Sequence, residues 1–424
     1  MAELLIKGGR VIDPAQGLDK QADVLVRDGR IAGIGKFAKK PTTLDARGLI
    51  VSPGLIDIHV HFREPGNDAE ETIASGSAAA VAGGFTTVAV MPNTDPAVDS
   101  EAAVAFQIAQ AERAGLARVL PIGAVSVGRK GERLAELGQM AKAGAVAFSD
   151  DGDCVRSPRL MRIALQYAAM LGKPIIDHCE DRELAGKGVM HGGFWAVKLG
   201  LGGIPPAAEE TMVARDVILA EATGGRLHVA HVSTRGALDH LRRAKQRGLA
   251  VTAEVAIHHL VLTDEAVASY DPNLKVNPPL RSAEDVAALR AALADGTIDC
   301  LVSDHAPHAP EEKEVEFALA PFGLIGLETA LPVLITKLIE PGVLDWPRAI
   351  AAMTCGPARV LGIEAGTLEA GRVADITLID PETEWTIDAA AFRSRSRNCP
   401  FHGWRVKGRA AVTIVGGDVK HDTR

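Results

Sequence analysis

Long apolar runs, aromatic side chains and paired cysteines are all scarce in this chain of 424 residues. No stretch approaches about 18 uninterrupted apolar residues, which excludes a membrane-spanning helix. The five cysteines are scattered and show no CxxC spacing, so we expect reduced thiols in a cytoplasmic protein. Aromatic residues make up only 4% of the chain, which favours an aliphatic core.

An excess of basic residues is also missing. The formal net charge is -8, so nothing indicates nucleic acid or an anionic membrane as a partner. The N-terminus has no basic segment followed by an apolar run, so a signal peptide is not expected. The balance of 47% hydrophobic and 24% charged residues is that of an ordinary globular protein. The length predicts one large domain and a smaller one.

Both ends of the chain read as short strands with turns. Residues 1–52 contain β-branched or alternating apolar segments bounded by Gly, Asp or Pro, and residues 355–424 contain similar segments. Because chain ends often lie close together, we predict a single small β-sandwich domain formed by both termini. Two unrelated β tails are the alternative.

The middle of the chain, residues 53–354, alternates short apolar runs with Ala-, Glu- and Arg-rich segments of helical character. Parallel strands buried on both faces read as such continuous apolar runs. Eight strand-then-helix units predict a closed (β/α)8 TIM barrel rather than an open sheet. The predicted strands are 55–61, 85–91, 118–124, 145–149, 174–178, 227–231, 250–255 and 299–303.

Histidine and aspartate recur where these runs end. His59 and His61 close the first run, and because side chains alternate along a strand, both imidazoles can face the barrel mouth. His178 and His231 close the fifth and sixth runs, and Asp304 follows the eighth. In such barrels the chemistry sits at the carboxyl ends of the strands. These residues predict a metal site whose imidazole and carboxylate ligands suit zinc or another divalent ion.

Other histidines fit this site less well. His228 and His305 stand at odd spacings from the nearest candidate ligands, so alternation predicts that they point away, deeper in the barrel or outside it. His258 and His259 follow the seventh run and are less favoured as ligands. Four others are expected on the surface or in loops, and they are His191, His240, His402 and His421.

Seven motifs follow one another along nearly the whole chain. They are GLIDIHVHFREPG (54–66), MPNTDP (91–96), IDHCED (176–181), HVS (231–233), EVAIHHLVLTDE (254–265), KVNPPLR (275–281) and SDHAPH (303–308). In these motifs the chain resembles dihydroorotases of the amidohydrolase superfamily, and FREPG, MPNT and NPPLR are the most specific. The resemblance implies a (β/α)8 barrel with a β-rich domain from both termini. It also implies that His59, His61 and Asp304 hold one zinc ion and that His178 and His231 hold a second.

One departure concerns the bridge between the metals. Many relatives, including hydantoinases and allantoinases, use a carbamylated lysine at the end of strand four, but this strand reads GAVAFSDDGDC, and Lys142 lies at its wrong end. A subset of dihydroorotases uses an aspartate instead, and Asp151 is the best match because it shares parity with Ser149. Asp150 and Asp153 are competitors. A loop of turn-forming carboxylates with one tightly held metal is the further alternative.

The resemblance implies reversible hydrolysis of (S)-dihydroorotate to N-carbamoyl-L-aspartate in de novo pyrimidine (UMP) biosynthesis. Metal ions lower the pKa of bound water toward ~7, which supplies a hydroxide nucleophile at neutral pH. Asp304 is expected to take the proton of the attacking water and pass it to the leaving nitrogen.

The substrate carboxylate requires a cationic partner. Arg63 continues the parity of His61, and its guanidinium can grip a carboxylate with two hydrogen bonds. A surface salt bridge of Arg63 with Glu64 or Glu70 is the alternative. By resemblance, the other substrate-binding residues are His61, Asn93, Asn277, His308, Phe322 and Gly323. Asn277 has a second interpretation as a turn residue before Pro278.

Residues 308–320 link the eighth strand to the next helix and are rich in charge. Loops over barrel mouths often close on substrate, so this segment is interpreted either as a mobile lid or as a solvated surface loop.

Two rival functions are weighed against this one. Another cyclic amidase, such as a hydantoinase or allantoinase, would share the histidines, but the missing lysine and the Arg63–Asn93 pair speak against it. A non-catalytic dihydroorotase-like subunit of aspartate transcarbamoylase would be expected to have lost metal ligands, and this chain keeps them. By resemblance, a homodimer and association of an active subunit with the transcarbamoylase are the expected assemblies.

Overall fold

The N-terminal part of the chain forms five strands of β-branched or alternating residues. In the computed structural model, which describes residues 3–38, 40 and 42–424, β1 pairs with both β2 and β5. Residues 1, 2, 39 and 41 of the predicted segment 1–52 lie outside the described residues. The strands are β1 (Glu3–Asp13), β2 (Leu18–Arg27), β3 (Arg30–Gly35), β4 (Thr43–Asp45) and β5 (Ile50–Pro53).

Each of the eight apolar runs in the middle of the chain forms a strand of one parallel sheet. A bridge between Val60 and His305 joins the first and last members, and the His61 backbone N–H donates to the His305 carbonyl at 2.8 Å. The predicted (β/α)8 barrel is therefore confirmed. In chain order the strands are β6 (Leu55–Val60), β7 (Phe85–Val90), β8 (Arg118–Ala124), β9 (Ala147–Ser149), β10 (Ile175–Asp177), then the separate short pair β11 (Met190–His191) and β12 (Gly203–Ile204), then β13 (Leu227–Val229), β14 (Val251–Ala256) and β15 (Cys300–Val302).

Many of the helices begin after a side chain that accepts a backbone N–H of the first turn. Thr72, Ser100, Ser157 and Ser282 act in this way, which satisfies donors that have no partner within the helix. The helices are α1 (Ile73–Ala82), α2 (Glu101–Ala114), α3 (Leu137–Ala143), α4 (Pro158–Met170), α5 (Arg182–Ala185), α6 (Phe194–Leu199), α7 (Ala207–Thr223), α8 (Arg235–Gln246), α9 (Ile257–Val261), α10 (Ala283–Asp295), α11 (Pro310–Lys313), α12 (Ala330–Leu334), α13 (Trp346–Ala352) and α14 (Cys355–Leu361).

The C-terminal strands complete the sheet that the N-terminal strands begin. They are β16 (Ile376–Thr386), β17 (Arg405–Val415) and β18 (Asp418–Asp422). β5 lies between β1 and β16, so both termini share one mixed sheet of eight strands, as predicted. Apolar side chains from both halves, including Val24, Val51 and Val412, form one core. The alternative of two unrelated β tails is wrong.

The terminal sheet and the barrel are joined closely. β5 leads into β6 through Gly54, and a Cβ there would collide with the Thr86 side chain. α14 begins at the predicted boundary of the C-terminal segment, yet its Val360 and Leu361 belong to the apolar cluster inside the barrel. The proposed division into residues 53–354 and the two flanking segments stays a prediction. Within the described residues, no helix combines the length and apolar character that crossing a membrane requires.

Candidate metal centre and substrate cavity

Two histidines at the end of β6 face an aspartate that follows β15. His59 Nε2 lies 3.6 Å from Asp304 Oδ1, and His61 Nε2 lies 3.3 Å from the same oxygen. The register of β6 against β7 shifts between Asp57 and Val60, so the strand is irregular just before its two imidazoles. All three side chains are at most 10% exposed. These groups match the first ligand set that the resemblance implies.

A second pair of histidines stands beside the first. His178 follows β10 and His231 lies two residues beyond β13, and His178 Nδ1 is 3.0 Å from His231 Nε2. His231 has a φ of 27° and Asp304 has a φ of 49°, in the left-handed region that non-glycine residues seldom adopt. Such backbone conformations commonly occur at functional sites, where the surrounding structure enforces them.

Asp151 lies between the two pairs. Its Oδ2 is 3.5 Å from His59 Nε2 and 3.7 Å from His61 Nε2, whereas its Oδ1 is 3.6 Å from His178 Nδ1 and 3.4 Å from His231 Nε2. Ligands bound at 2.0–2.2 Å in a tetrahedral arrangement lie roughly 3.3–3.6 Å apart. Each oxygen of one carboxylate is therefore placed to share a cation with a different pair of imidazoles.

The donor set fits a metal in its chemistry as well as in its spacing. His59 Nε2 and Asp151 Oδ1 are buried and have no hydrogen-bond partner among the described residues, although buried polar atoms are nearly always paired. Two groups of potential ligands meet at this carboxylate, namely His59, His61 and Asp151, and Asp151, His178 and His231. Imidazole and carboxylate together suit zinc.

The electrostatics of the centre favour positive charge. Burial acts to lower the pKa of His59, but the Asp151 and Glu254 carboxylates outweigh it and raise that pKa well above its ordinary value. For His178, burial is likewise outweighed by Asp151, and the pKa is raised to about 9. Burial also opposes ionisation of Asp151 and Asp304, yet His59 and its neighbours hold both pKa values below the ordinary one. The centre therefore holds ionised carboxylates that a divalent cation can balance.

The competing aspartates are engaged elsewhere. Asp150 accepts hydrogen bonds from the Ser126 backbone N–H and hydroxyl group. Asp153 forms ion pairs with Arg129, Arg156 and Arg182. This geometry favours Asp151 over both as the bridge.

The other histidines occupy varied positions. His228 lies deeper in the barrel, where Nε2 is 3.0 Å from Glu254 Oε2, and His305 turns toward Glu71. His258 and His259 are buried but belong to neither ligand group. The expectation that His191 lies on the surface or in a loop is wrong, because it is 7% exposed, lies in β11 and contacts Arg281.

A cavity of about 370 Å³ opens above the metal centre. Arg63 lines it and is 9% exposed, with Nε 3.1 Å from Glu70 Oε2 and also donating to the Pro307 carbonyl. The alternative pairing with Glu70 is therefore present, but it is buried rather than on the surface. Asn93 Oδ1 lies 2.8 Å from His61 Nδ1, so this amide orients a candidate ligand while it lines the cavity.

The remaining residues predicted to bind substrate line the same cavity. Asn277 places its side-chain nitrogen 3.3 Å from His178 Nε2, and His308 Nε2 lies 2.8 Å from the Phe322 carbonyl oxygen. Gly323 has a φ of 139°, and a Cβ there would lie 2.8 Å from the Ala306 carbonyl oxygen, so this approach requires glycine. Their contacts with substrate stay predictions.

Sequence reasoning missed Asn398, which holds the rim of the cavity from outside the barrel. This side chain is 3% exposed and its Nδ2 donates to the Ala306 carbonyl at 3.0 Å and to the Gly323 carbonyl at 3.2 Å. Its backbone carbonyl accepts from the Ile325 N–H. Nothing in the sequence pattern links this residue to loops some 75 and 92 positions earlier in the chain.

The charged segment 308–320 contains α11 and is attached to its neighbours at several points. Lys313 Nζ donates to the carbonyls of Pro272 and Pro321, and Lys275 Nζ donates to the carbonyl of Ala318. Leu319 is nevertheless 75% exposed. Both interpretations of the segment, as a lid and as a surface loop, stay open.

Comparison with known proteins identifies the family. Residues 48–237 match the family model described as dihydro-orotase-like. The chain is 57% identical over 419 residues to a dihydroorotase from Pelotomaculum thermopropionicum, with 98% of each chain covered. It is 54% identical to a dihydroorotase from Geobacter metallireducens, with 98% of this chain and 99% of the relative covered. The chain belongs to the dihydroorotase family.

Solved structures with the same fold carry other names. An L-hydantoinase (dihydropyrimidinase) from Arthrobacter aurescens matches with a TM-score of 0.88 and 30% identity over 100% of this chain and 96% of its own. A D-hydantoinase from a Thermus species matches with a TM-score of 0.81 and 27% identity, covering 99% of this chain and 95% of its own. This family member therefore has the barrel and terminal sheet of cyclic amidases.

We predict that Asp151→Asn lowers the divalent metal retained per chain by at least half, because the amide cannot offer an anionic oxygen to each histidine pair. Metal content after dialysis, measured by mass spectrometry, tests this. Asp150→Asn is the matched neighbour and is expected to retain the wild-type metal content. Equal loss in both variants would remove Asp151 from the bridging position.

Proposed function

We propose that this chain catalyses the reversible hydrolysis of (S)-dihydroorotate to N-carbamoyl-L-aspartate in de novo pyrimidine (UMP) biosynthesis. Membership of the dihydroorotase family supports this activity. The observation that carries it is the Asp151 carboxylate, whose two oxygens face two separate histidine pairs beneath a cavity lined by Arg63 and Asn93. An unstrained cyclic amide needs both an activated water and a held substrate, and this arrangement offers sites for each.

Two zinc ions per chain are the proposed cofactors. His59, His61 and Asp304 would hold one, His178 and His231 would hold the other, and Asp151 would contribute to both. Bound zinc lowers the pKa of water and polarises a carbonyl group, which supplies the nucleophile and the electrophilic assistance for amide cleavage.

Asp304 is the proposed general base and acid. Its pKa lies below the ordinary value, so the carboxylate is ionised at neutral pH, the form that accepts a proton. The side chain lines the cavity directly above the imidazoles. In hydrolysis it would take a proton from the attacking water and deliver it to the leaving ring nitrogen, and in ring closure the proton would return.

Arg63 is the proposed partner of the substrate carboxylate. The contacts of Arg63 with Glu70 and Pro307 use Nε, which leaves the Nη donors for a ligand. The Asn93 oxygen is taken by His61, so its amide nitrogen is the group that can donate to the substrate. By resemblance, His61, Asn277, His308, Phe322 and Gly323 complete the binding site, and all of them line the cavity.

A homodimer, association with aspartate transcarbamoylase and a cytoplasmic location are further proposals from the resemblance. All five cysteines are free, which is consistent with a reducing compartment. A hydantoin ring is the second candidate substrate, and the similarity to the Arthrobacter aurescens L-hydantoinase favours it over other rings.

We expect purified protein to cyclise N-carbamoyl-L-aspartate and to hydrolyse dihydroorotate, with hydantoin and allantoin at least ~10²-fold lower in kcat/KM, because they lack the carboxylate that Arg63 would bind. The change in dihydroorotate absorbance, recorded at acidic and at alkaline pH, measures the rates of ring closure and of hydrolysis. Chelation is expected to abolish turnover, and added zinc is expected to restore it. Preferred turnover of hydantoin would support the second candidate instead.

We predict that Asp304→Asn lowers kcat about 10²–10⁴-fold in both directions, because asparagine cannot accept the proton. Steady-state rates with zinc in excess measure this effect. Asp299→Asn is the matched control, since Asp299 lies at the opposite end of the same strand and pairs with Lys245. Equal kcat values in Asp304→Asn and Asp299→Asn would contradict the proposed role of Asp304 as general base and acid.

We predict that Arg63→Lys raises KM for dihydroorotate roughly tenfold or more, because one ammonium nitrogen cannot reproduce the planar two-point grip of a guanidinium group. Metal content is expected to stay within error of the wild type. Arg182→Lys, at an exposed ion pair with Asp153, serves as the control and should keep the wild-type KM. An unchanged KM in Arg63→Lys would contradict the proposed grip.

A further inference from the structure

A fully buried carboxylate lies directly beneath the candidate metal centre. Glu254, in β14, is 0% exposed, and its Oε1 lies 2.5 Å from His59 Nδ1. Its Oε2 lies 3.0 Å from His228 Nε2. Glu254 is neither a candidate metal ligand nor one of the residues proposed to bind substrate. A buried carboxylate without compensating partners would be strongly destabilising, so the groups that contact Glu254 matter.

The contacts of Glu254 fix which ring nitrogens carry protons. An ionised carboxylate only accepts hydrogen bonds, so His59 Nδ1–H and His228 Nε2–H both donate to it. His228 Nδ1 is then the acceptor, and the Thr252 hydroxyl group, 2.8 Å away, donates to it. Thr252, His228, Glu254 and His59 therefore form one continuous hydrogen-bonded chain that ends at the metal centre.

Two consequences follow for the centre. Because Nδ1 donates to Glu254, Nε2 is the nitrogen of His59 that faces Asp151 and Asp304, where a cation can take the place of its proton, and Nε2 has no hydrogen-bond partner among the described residues. In addition, the His231 backbone N–H lies 3.3 Å from Glu254 Oε1, at a residue whose φ is 27°. One carboxylate thus contacts a candidate ligand of each pair, through the ring of His59 and the backbone of His231.

We infer that Glu254 is a positioning residue for both halves of the metal centre, holding His59 in the tautomer that offers Nε2 to a cation and fixing the backbone at His231. His228 and Thr252 support its second oxygen. The inference rests on the proposed metal-dependent function. Carboxylates that accept the second N–H of a ligating histidine orient the ring and raise its basicity, and their loss typically weakens metal binding ~10–100-fold.

The test measures zinc affinity rather than activity alone. Competition with a chromophoric chelator gives the zinc dissociation constants of wild type, Glu254→Gln, His228→Gln and Thr252→Val. We expect about 10–100-fold weaker binding in Glu254→Gln, a smaller loss in His228→Gln and the smallest in Thr252→Val, because each step lies further from His59. The kcat of Glu254→Gln should fall at limiting zinc and recover toward the wild-type value at saturating zinc.

Glu209→Gln is the matched control for the loss of a buried carboxylate. Glu209 is 4% exposed and accepts hydrogen bonds from Ser233 and Thr234, without contact to a candidate ligand ring. We expect it to lower the unfolding temperature of metal-free protein while keeping wild-type zinc affinity. Equal zinc affinity in Glu254→Gln and Glu209→Gln would overturn the inference.

Thr252→Val keeps the inference falsifiable if Glu254→Gln does not fold, because valine preserves the shape of threonine and removes only the hydroxyl group. Wild-type zinc affinity in both Thr252→Val and His228→Gln would then overturn the inference. Failure of the proposed function is a different result, namely wild-type protein that neither binds zinc nor turns over dihydroorotate. Active wild-type protein with unchanged zinc affinity in the variants contradicts only the role of Glu254.

Discussion

The burial of one carboxylate group determines the chemistry available at the mouth of this barrel. Asp151 is 2% exposed and is surrounded by four imidazoles. Burying an ionised carboxylate is costly unless positive charge or hydrogen-bond donors compensate for it. Without a metal, protons on the histidines supply that compensation, as the raised pKa values of His59 and His178 indicate. A divalent cation can replace those protons. The burial that makes the ionised Asp151 carboxylate costly in free energy therefore also favours the binding of a metal.

The barrel makes this arrangement possible because it brings the ends of distant strands to one place. The candidate ligands lie at or beyond the carboxyl ends of β6, β9, β10, β13 and β15, and they lie as far apart in sequence as His59 and Asp304. Regular strands fix the approach of each segment, while the irregular residues at their ends set the final direction of each side chain. The left-handed backbone at His231 and Asp304 occurs at those ends. Rigid strands and irregular residues at the strand ends are both required for the candidate ligand side chains to converge within a few ångströms.

Sequence reasoning predicted the parts of the structure that follow from local periodicity. Each apolar run became a barrel strand, and both termini joined one sheet. The candidate ligands could be found because they stand where those runs stop. What periodicity could not give was the register shift within β6 or the contacts of Glu254 and Asn398, since these depend on partners that are far apart along the chain. The expectation for His191 was wrong for the same reason, because its ring contacts Arg281, which lies 90 positions later in the chain.

The centre and the cavity above it are held by different parts of the protein. Glu254 contacts the candidate ligand His59 from inside the barrel and is itself held by His228, which contacts Thr252. The rim depends instead on the segment before β17, where Asn398 binds two loop carbonyls and the Ser396 hydroxyl group donates to the carbonyl of Glu70.

Asn93 and Asn277 join the two parts, because each lines the cavity and contacts a candidate ligand ring, whereas Asn398 contacts the loops of the rim. A substitution at Asn398 or Ser396 is therefore expected to reshape the rim without moving the candidate ligand imidazoles. The similarity of this dihydroorotase-family chain to hydantoinases of the same fold agrees with such a division, because one fold can carry different choices of ring through differences in its loops.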